Sequence, residues 1–365
     1  MNLLIVEDDK DQLQMYNDVI DSYSKQINTT IKRDCFGTLE EGIEAIKQPL
    51  YDAAIIDLKL SAKGNELEGM NIVNAINGKL RIPIYIVSGS IAQVDIEENA
   101  LFKKKLRTDD FKGILAEIKE IFDTGITNLM RQEGFMDKML TKIFWDHLSD
   151  SLVDLKSVET HKVLIRYISS HIQEFLEMNG EGGLEDFHPA EFYIFPPIKK
   201  KLSTGDIIKN KQANSYSILL TPACDILLRK DKNNPDIKIR NADKALLISL
   251  VLWNTLENFN TLKEDTGKSN ASRLRLEALT KNNKERYHFL PPYKSIRGYF
   301  ADFQSQLSID ISILENPESY DRIATVSHPF LKDIIARFSQ YYSRQGQPDL
   351  LQEKIYSQLV IQNSQ

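Results

Sequence analysis

A chain of 365 residues, 42% hydrophobic and 27% charged, has material for about two domains with their own cores, and its composition excludes a wholly disordered polymer. Its formal net charge of -6 gives no overall attraction to nucleic acid or an anionic membrane, although local basic patches are compatible with it. No apolar run reaches the roughly 18 to 20 residues of a membrane span, and the start turns acidic at Glu7, unlike a secretory signal. Cys35 and Cys224 fall in different expected domains, which argues against a disulfide or zinc framework and for a reducing cytoplasm.

From residue 1 to about 122, short apolar runs alternate with helical patterns. Leu3 to Val6 reads as a buried strand, and Asp11 to Ser24 as a helix with Leu13, Met15, Tyr16, Val19 and Ile20 at helical spacing. Thr30 to Cys35 is a second strand, Leu39 to Ile46 a helix behind Gly37-Thr38, and Ala53 to Ile56 a third strand. Gly69 to Ile76 is helical. Ile84 to Val87 forms the fourth strand after Pro83, Phe102 opens a fifth, and Phe111 to Phe122 is an amphipathic helix. This alternation predicts a parallel sheet covered on both faces, with ligands at the carboxyl ends of its strands.

Those strand ends carry a chemical pattern. The first runs into Glu7, Asp8 and Asp9, the third into Asp57, the fourth into Ser88, and the fifth into Lys103, Lys104 and Lys105. Carboxylates gathered on one rim repel one another and call for a cation. Oxygen ligands with room for water and a phosphoryl oxygen suit Mg²⁺. Ser88 could donate to one phosphoryl oxygen while a lysine neutralises another.

This constellation resembles the receiver domain of bacterial two-component response regulators, over about residues 1 to 122. The resemblance rests on Ile5-Val6-Glu7-Asp8-Asp9, Tyr51 to Asp57, Ile82 to Ser88 and Phe102-Lys103-Lys104-Lys105. It implies a doubly wound, flavodoxin-like fold with a five-stranded parallel sheet. It further implies Asp57 as phosphoacceptor and Mg²⁺ held by Glu7, Asp8, Asp57 and the main-chain carbonyl of Lys59, with Asp8 as a direct ligand. Ser88 and Lys105 would contact the phosphoryl group, Lys104 being the alternative lysine, and Phe102 would be the aromatic switch. The implied partner is a histidine kinase or phosphotransfer protein. Two departures stand out: Leu106 occupies the place where the family has proline, and Ser61 to Gly69 is longer and more polar than usual.

Residues 123 to 178 read as two or three helices, with breaks at Gly125, Gly134 and Ser149 to Ser151. They form either a connector that pairs two copies of the chain and transmits a signal, or ordinary core for the next domain. Asn179 to Gly183 reads as a linker. Residues 184 to 365 are expected to be α+β: short strands at Glu191 to Phe195, Gly205 to Ile208 and Tyr216 to Pro222, of the kind that close a small barrel, then helices at Ala242 to Lys263 and Ser272 to Asn282. Strand signals recur at Tyr287 to Leu290 and Leu307 to Leu314, before a strong amphipathic helix capped by Ser327.

In Thr221-Pro222-Ala223-Cys224-Asp225, Cys224 could be a nucleophile served by His288 or His188, or a buried thiol with Asp225 capping the next turn. This string and Gly205-Asp206-Ile207 are similar to a pattern in uncharacterised bacterial proteins, which implies no activity. Basic runs at Lys199 to Lys201, Lys209 to Lys211 and Arg229 to Lys232 sit near Phe195 and Tyr216. They read more readily as solvated faces than as a nucleic-acid surface. No helix-turn-helix, phosphate-loop or His-Glu-x-x-His pattern occurs. The expectation is a cytoplasmic response regulator with a protein-interaction output domain, ahead of a nucleic-acid-binding output and of an enzyme using Cys224.

Overall fold

Five short apolar runs build the first sheet. They are β1 (Asn2–Val6), β2 (Lys32–Phe36), β3 (Ala53–Ile56), β4 (Ile84–Ser88) and β5 (Phe102–Leu106). All pair in parallel, in the order β2-β1-β3-β4-β5, which is the doubly wound order of flavodoxin-like sheets. The computed structural model describes residues 1–45, 47, 51–58, 60, 68–89, 91, 97–131, 133–155, 161–177, 186–230, 234, 236, 238–256, 277, 280–282, 285–344 and 349–362. The chain divides into two compact units, residues 1–185 and 186–365.

Period-two alternation sends side chains from β1, β3 and β4 to both faces of the sheet. Leu4, Val6, Ala54, Ile56, Ile84 and Ile86 meet Ile72, Val73 and Ile76 of α3 (Glu68–Lys79), with α2 (Leu39–Ala45) beside them. Leu3, Ile5, Ala53, Ile55, Tyr85 and Val87 face α1 (Lys10–Gln26) and α4 (Phe111–Asp123). Tyr16 stacks on Phe111 with ring centroids 4.0 Å apart. The central strands are therefore apolar on both sides, as parallel sheets require.

The first unit continues through α5 (Ile126–Met130), α6 (Phe135–Ile143), a π-helical turn at Phe144–Leu148, α7 (Ser149–Leu155) and α8 (His161–Glu177). α5 is fastened beneath the sheet. Thr127 Oγ1 donates to Asp52 Oδ1 at 3.3 Å, and Asp52 Oδ2 accepts from the Asn2 amide at 2.8 Å. Phe135, Phe144, Trp145 and Ile165 stand exposed along the later helices. Among the described residues, no helix is long and apolar enough to cross a membrane. The expected linker at 179–183 lies outside the described residues.

In the second unit, β6 (Tyr193–Ile194), β7 (Asp206–Asn210), β8 (Ser215–Leu219), β11 (Lys244–Leu252), β12 (Tyr287–Leu290), β13 (Tyr299–Asp310) and β14 (Tyr320–Val326) form one antiparallel sheet. β9 (Arg229–Lys230) and β10 (Lys238–Ile239) pair as a separate ribbon. The sheet runs β12-β13-β11-β8-β7-β14-β6. Among the described residues its outer strands β12 and β6 share no backbone ladder, but Tyr193 Oη of β6 donates to Pro291 O just past β12 at 2.8 Å, so the two edges of the sheet meet through a side chain. One face packs Ile207, Ile218, Ile248 and Phe303 against Ile334 and Tyr341 of α11 (His328–Ser343). The other packs Ile208, Leu219 and Leu247 against Ile226 of α9 (Ala223–Ile226) and Ile311 and Leu314 of α10 (Ile311–Leu314). α12 (Gln352–Gln362) is the last helix.

The helix expected from Ala242 is a correction: Lys244–Leu252 is the inner strand β11, bonded to β8 on one side and β13 on the other. A strand covered on both faces needs no polar alternation, so Ala245 to Leu252, apolar but for Ser249, carries the kind of run that a buried helix also carries. Its pairing with β13 shifts register between Ile248 and Leu250. Residues 257–276 lie outside the described residues.

Gly205-Asp206-Ile207 is a fold-building motif. Asp206 is fully buried and accepts from Arg322 Nε at 2.8 Å and Nη2 at 3.2 Å, from Thr325 Oγ1 at 2.6 Å and from the Ser203 amide at 2.8 Å. Gly205 has φ +87°, and a Cβ there would lie 2.8 Å from Leu331 Cδ2. Removing one member of such a buried pair strands the other. Asp206→Ala is expected to lower the stability of the second unit by about 3–5 kcal/mol in a denaturant titration of the whole chain.

His288, on β12, is 2% exposed, and burial, helped by the charge of Arg337, pulls its pKa down to about 3. A base lowered on folding stays neutral while the unfolded chain takes up its proton below about pH 6.5. The stability His288 contributes is complete above that pH and falls as pH drops toward 3, by up to about 1.4 kcal/mol per pH unit. His288→Phe is expected to flatten that part of the pH dependence of unfolding.

Candidate functional site

At the carboxyl end of the parallel sheet, β1 and β3 deliver acids side by side. The Glu7 amide bonds Phe36 O and the Asp57 amide bonds Val6 O, each at 2.9 Å, so backbone ladders fix both residues just past their strands. Asp9 serves the helix instead. Its Oδ1 accepts from the amides of Asp11 and Gln12 at 3.0 and 3.2 Å and caps α1. Glu7, Asp8 and Asp57 each offer a carboxylate oxygen, all within 4.8 Å of one another. Glu7 and Asp57 are buried and Asp8 is exposed.

The electrostatic load on this group is visible in Glu7. Burial pushes its pKa up to about 7, the Asp57 charge adds to the rise, and the Asp9 amide and Arg107 offset part of it. Glu7 Oε2 is buried and has no hydrogen-bond partner. Three acid oxygens at this spacing, with an orphaned buried acceptor on the same Glu7 carboxylate, fit a hard divalent cation that takes oxygen ligands.

A cation already stands there. Arg107 Nη2 lies 2.7 Å from Glu7 Oε1 and 2.9 Å from Asp57 Oδ2, and Nη1 lies 3.9 Å from Asp9. Its own pKa is lowered by burial but raised more by the charges of Asp57 and Glu7. Arg107 was not among the residues expected from sequence. It follows β5 directly, and its amide bonds Ser88 O at 3.2 Å, which puts it on the rim beside the end of β4. The available signal was its position immediately beyond a strand rather than its resemblance to a lysine motif.

The expected residues divide. Glu7, Asp8 and Asp57 come together, and Ser88 is buried at the end of β4, where it is paired with Leu106. Lys105 does not join them: its Nζ bonds Glu117 Oε1 on α4 at 2.6 Å. Within β5, Lys103 and Lys105 share one face and Phe102 and Lys104 the other, so the lysines alternate across the strand instead of meeting at its tip. Phe102 pairs with Ile84, four residues before Ser88, which is roughly 13 Å along the strand. It is buried in the core face of the sheet. Lys59 lies outside the described residues.

The Cys224 grouping is not assembled either. Cys224 is exposed, with its sulfur 3.7 Å from Asp225 Oδ1, and Asp225 accepts from Asn241 Nδ2 at 2.9 Å. His288 is buried in the sheet, its Nδ1 3.7 Å from Asp333 Oδ2. His188 caps a 3₁₀ turn, accepting from the Ala190 amide through Nδ1 at 3.1 Å. Thr221 Oγ1 accepts from the Leu246 amide at 2.6 Å, which ties the Thr-Pro turn to β11. The basic runs are partly spent within their own unit. Lys199 bonds Ser203 Oγ at 2.8 Å, Lys211 reaches Pro317 O at 2.6 Å, and Lys209 lies 5.7 Å above the Tyr216 ring.

No protein-family model and no curated protein matches the chain. Among solved structures, the first third is similar to the N-terminal domain of a response regulator/sensory box/GGDEF three-domain protein from Carboxydothermus hydrogenoformans, at 15% identity and TM-score 0.28 over 34% of this chain and 99% of that one. It is similar to a CheY-like receiver domain protein from Methanospirillum hungatei JF-1, at 19% identity and TM-score 0.27 over 34% of this chain and 94% of that one. A third is the receiver domain of the sensor histidine kinase PA1611 from Pseudomonas aeruginosa PAO1, solved with a magnesium ion in its active-site cleft, at 15% identity and TM-score 0.27 over 33% of this chain and 94% of that one.

Proposed function

We propose that residues 1 to 122 act as a phosphoacceptor of the response-regulator kind, with Asp57 taking a phosphoryl group from a histidine kinase or phosphotransfer protein. The observation that carries this reading is the convergence of Glu7, Asp8 and Asp57 within 4.8 Å at the carboxyl ends of adjacent parallel strands, with a guanidinium on Asp57. Solvated acidic loops do not place two carboxylates at 1% and 2% exposure beside one another without a charge to be met.

In this reading, an Asp57 carboxylate oxygen bonds to phosphorus as the phosphorus–nitrogen bond of a phosphohistidine breaks. The imidazole nitrogen keeps the bond's electron pair and takes up a proton. Glu7 and Asp8 would hold Mg²⁺ together with Asp57, and the ion supplies charge neutralisation on the phosphoryl oxygens. Ser88, at the end of the neighbouring strand β4, would donate to one of those oxygens. The acyl phosphate adds about 1.5 to 2 negative charges to a rim already crowded with carboxylates, and that local charge is the signal. The helices from 126 to 177 and the second unit then serve as connector and output, in a cytoplasmic protein. The exposed Phe135, Phe144, Trp145 and Ile165 are available to pair with a second copy, and the output acts through protein interaction.

Incubation with acetyl phosphate and Mg²⁺ is expected to add one phosphoryl group to the intact protein, read by mass spectrometry, and Asp57→Asn is expected to take none. An unchanged mass for the parent protein, or equal labelling of Asp57→Asn, would remove Asp57 from the role.

A further inference from the structure

The phosphoacceptor reading leaves open which positive side chain answers the charge on Asp57. Lysine is the resemblance's answer, yet Lys105 is committed to Glu117 at 2.6 Å on the α4 side of β5. Arg107 instead lies within hydrogen-bond distance of both Glu7 and Asp57. We propose that Arg107 is a resident counterion of this pocket: it neutralises Glu7 and Asp57 in the metal-free protein, cedes Glu7 when a divalent cation enters, and closes on the phosphoryl oxygens once Asp57 carries them. The inference rests on the phosphoacceptor reading of Asp57.

Three features of the geometry support an exchangeable role. First, a single nitrogen, Nη2, serves both carboxylates, while Nε has no hydrogen-bond partner and Nη1 stands 3.9 Å from Asp9. A guanidinium has five N–H donors in a planar fork matched to two oxygens of a phosphoryl group, so most of its capacity is unused in this arrangement. Second, the Arg107 side chain is 29% exposed whereas those of Glu7 and Asp57 are each 1% exposed. The acids are fixed and the arginine has an open side toward which to move. Third, a buried carboxylate left without a counter-charge is costly, and Glu7 Oε2 is the acceptor still unmet. A second cation placed among the same three acids satisfies it but repels the guanidinium a few ångströms away. Metal entry and Arg107's hold on Glu7 therefore oppose each other.

Phosphorylation reverses the balance. Each phosphoryl oxygen added at Asp57 presents negative charge beyond the carboxylate, toward the exposed side from which Arg107 approaches. An arginine displaced from Glu7 has two parallel donors to offer there, where a lysine would bring a point charge.

Binding of Mg²⁺ alone, measured by calorimetry, and phosphoryl uptake from acetyl phosphate, measured by mass, separate the parts of this proposal. Arg107→Ala is expected to bind Mg²⁺ about tenfold more tightly than the parent, because the internal competitor is gone. Its phosphoryl uptake is expected to be slower on the order of 10²-fold, because a charge-stabilising donor is gone. Arg107→Lys keeps the charge without the fork: it is expected to bind Mg²⁺ like the parent and to take up phosphoryl at an intermediate rate, which also covers a failure of the alanine variant to fold. Lys105→Ala is expected to match the parent in both measurements. Mg²⁺ binding unchanged or weakened in Arg107→Ala, or uptake lost in Lys105→Ala and retained in Arg107→Ala, overturns the inference while leaving Asp57 as acceptor. A parent protein that takes up no phosphoryl group at all overturns the underlying reading and this inference with it.

Discussion

Two buried acids, Glu7 and Asp57, are held together at the ends of neighbouring strands, and one guanidinium bridges them. Parallel pairing of β1 with β3 makes this unavoidable: once Val6 and Ile56 are in register, the residues just beyond each strand emerge on the same rim. The apolar packing on both faces of the sheet supplies the rigidity, and the rim collects the electrostatic cost. Glu7 carries that cost in its raised pKa, and Arg107 bears the compensating charge. The place of Lys105, bonded to Glu117 and not to the rim acids, follows from where β5 sets alternate side chains.

The parallel sheet was legible because its strands are short, apolar and separated by capped helices. The acids at the ends of β1 and β3 were legible because strand ends are where such folds bind ligands. β5 was harder. Three consecutive lysines hide the strand's alternation, and only the folded strand separates those facing α4 from those facing the opposite helices. Arg107 was obscured for the same reason, since one step along a strand reverses the face a side chain occupies. In the second unit the difficulty was different. Ala245 to Leu252 is apolar except for Ser249, and period cannot distinguish such a strand from a buried helix, so the helix expected there gave way to an inner strand of a seven-stranded sheet.

The strings that looked chemical in the second unit are explained by construction. Asp206 holds β7 to β14 through Arg322 and Thr325, and Gly205 makes room for Leu331 of α11. Thr221 holds the turn after β8 to β11. Residues with polar side chains at tight turns are selected as readily by the need to satisfy buried backbone groups as by catalysis. Cys224 is exposed, whereas His288 is buried in the sheet and His188 caps a turn.

The tether of α5 has a mechanical corollary. Asp52 grips Thr127 and the Asn2 amide at the amino edge of the sheet, while Asp57, five positions further along the same stretch of chain, sits at the carboxyl edge, roughly 16 Å away at strand rise. β3 is thus a short rod with Asp57 at one tip and the root of the helical arm at the other. A sliding or tilting of that rod by a fraction of an ångström would reach the arm directly, through one carboxylate, without any relay around the periphery.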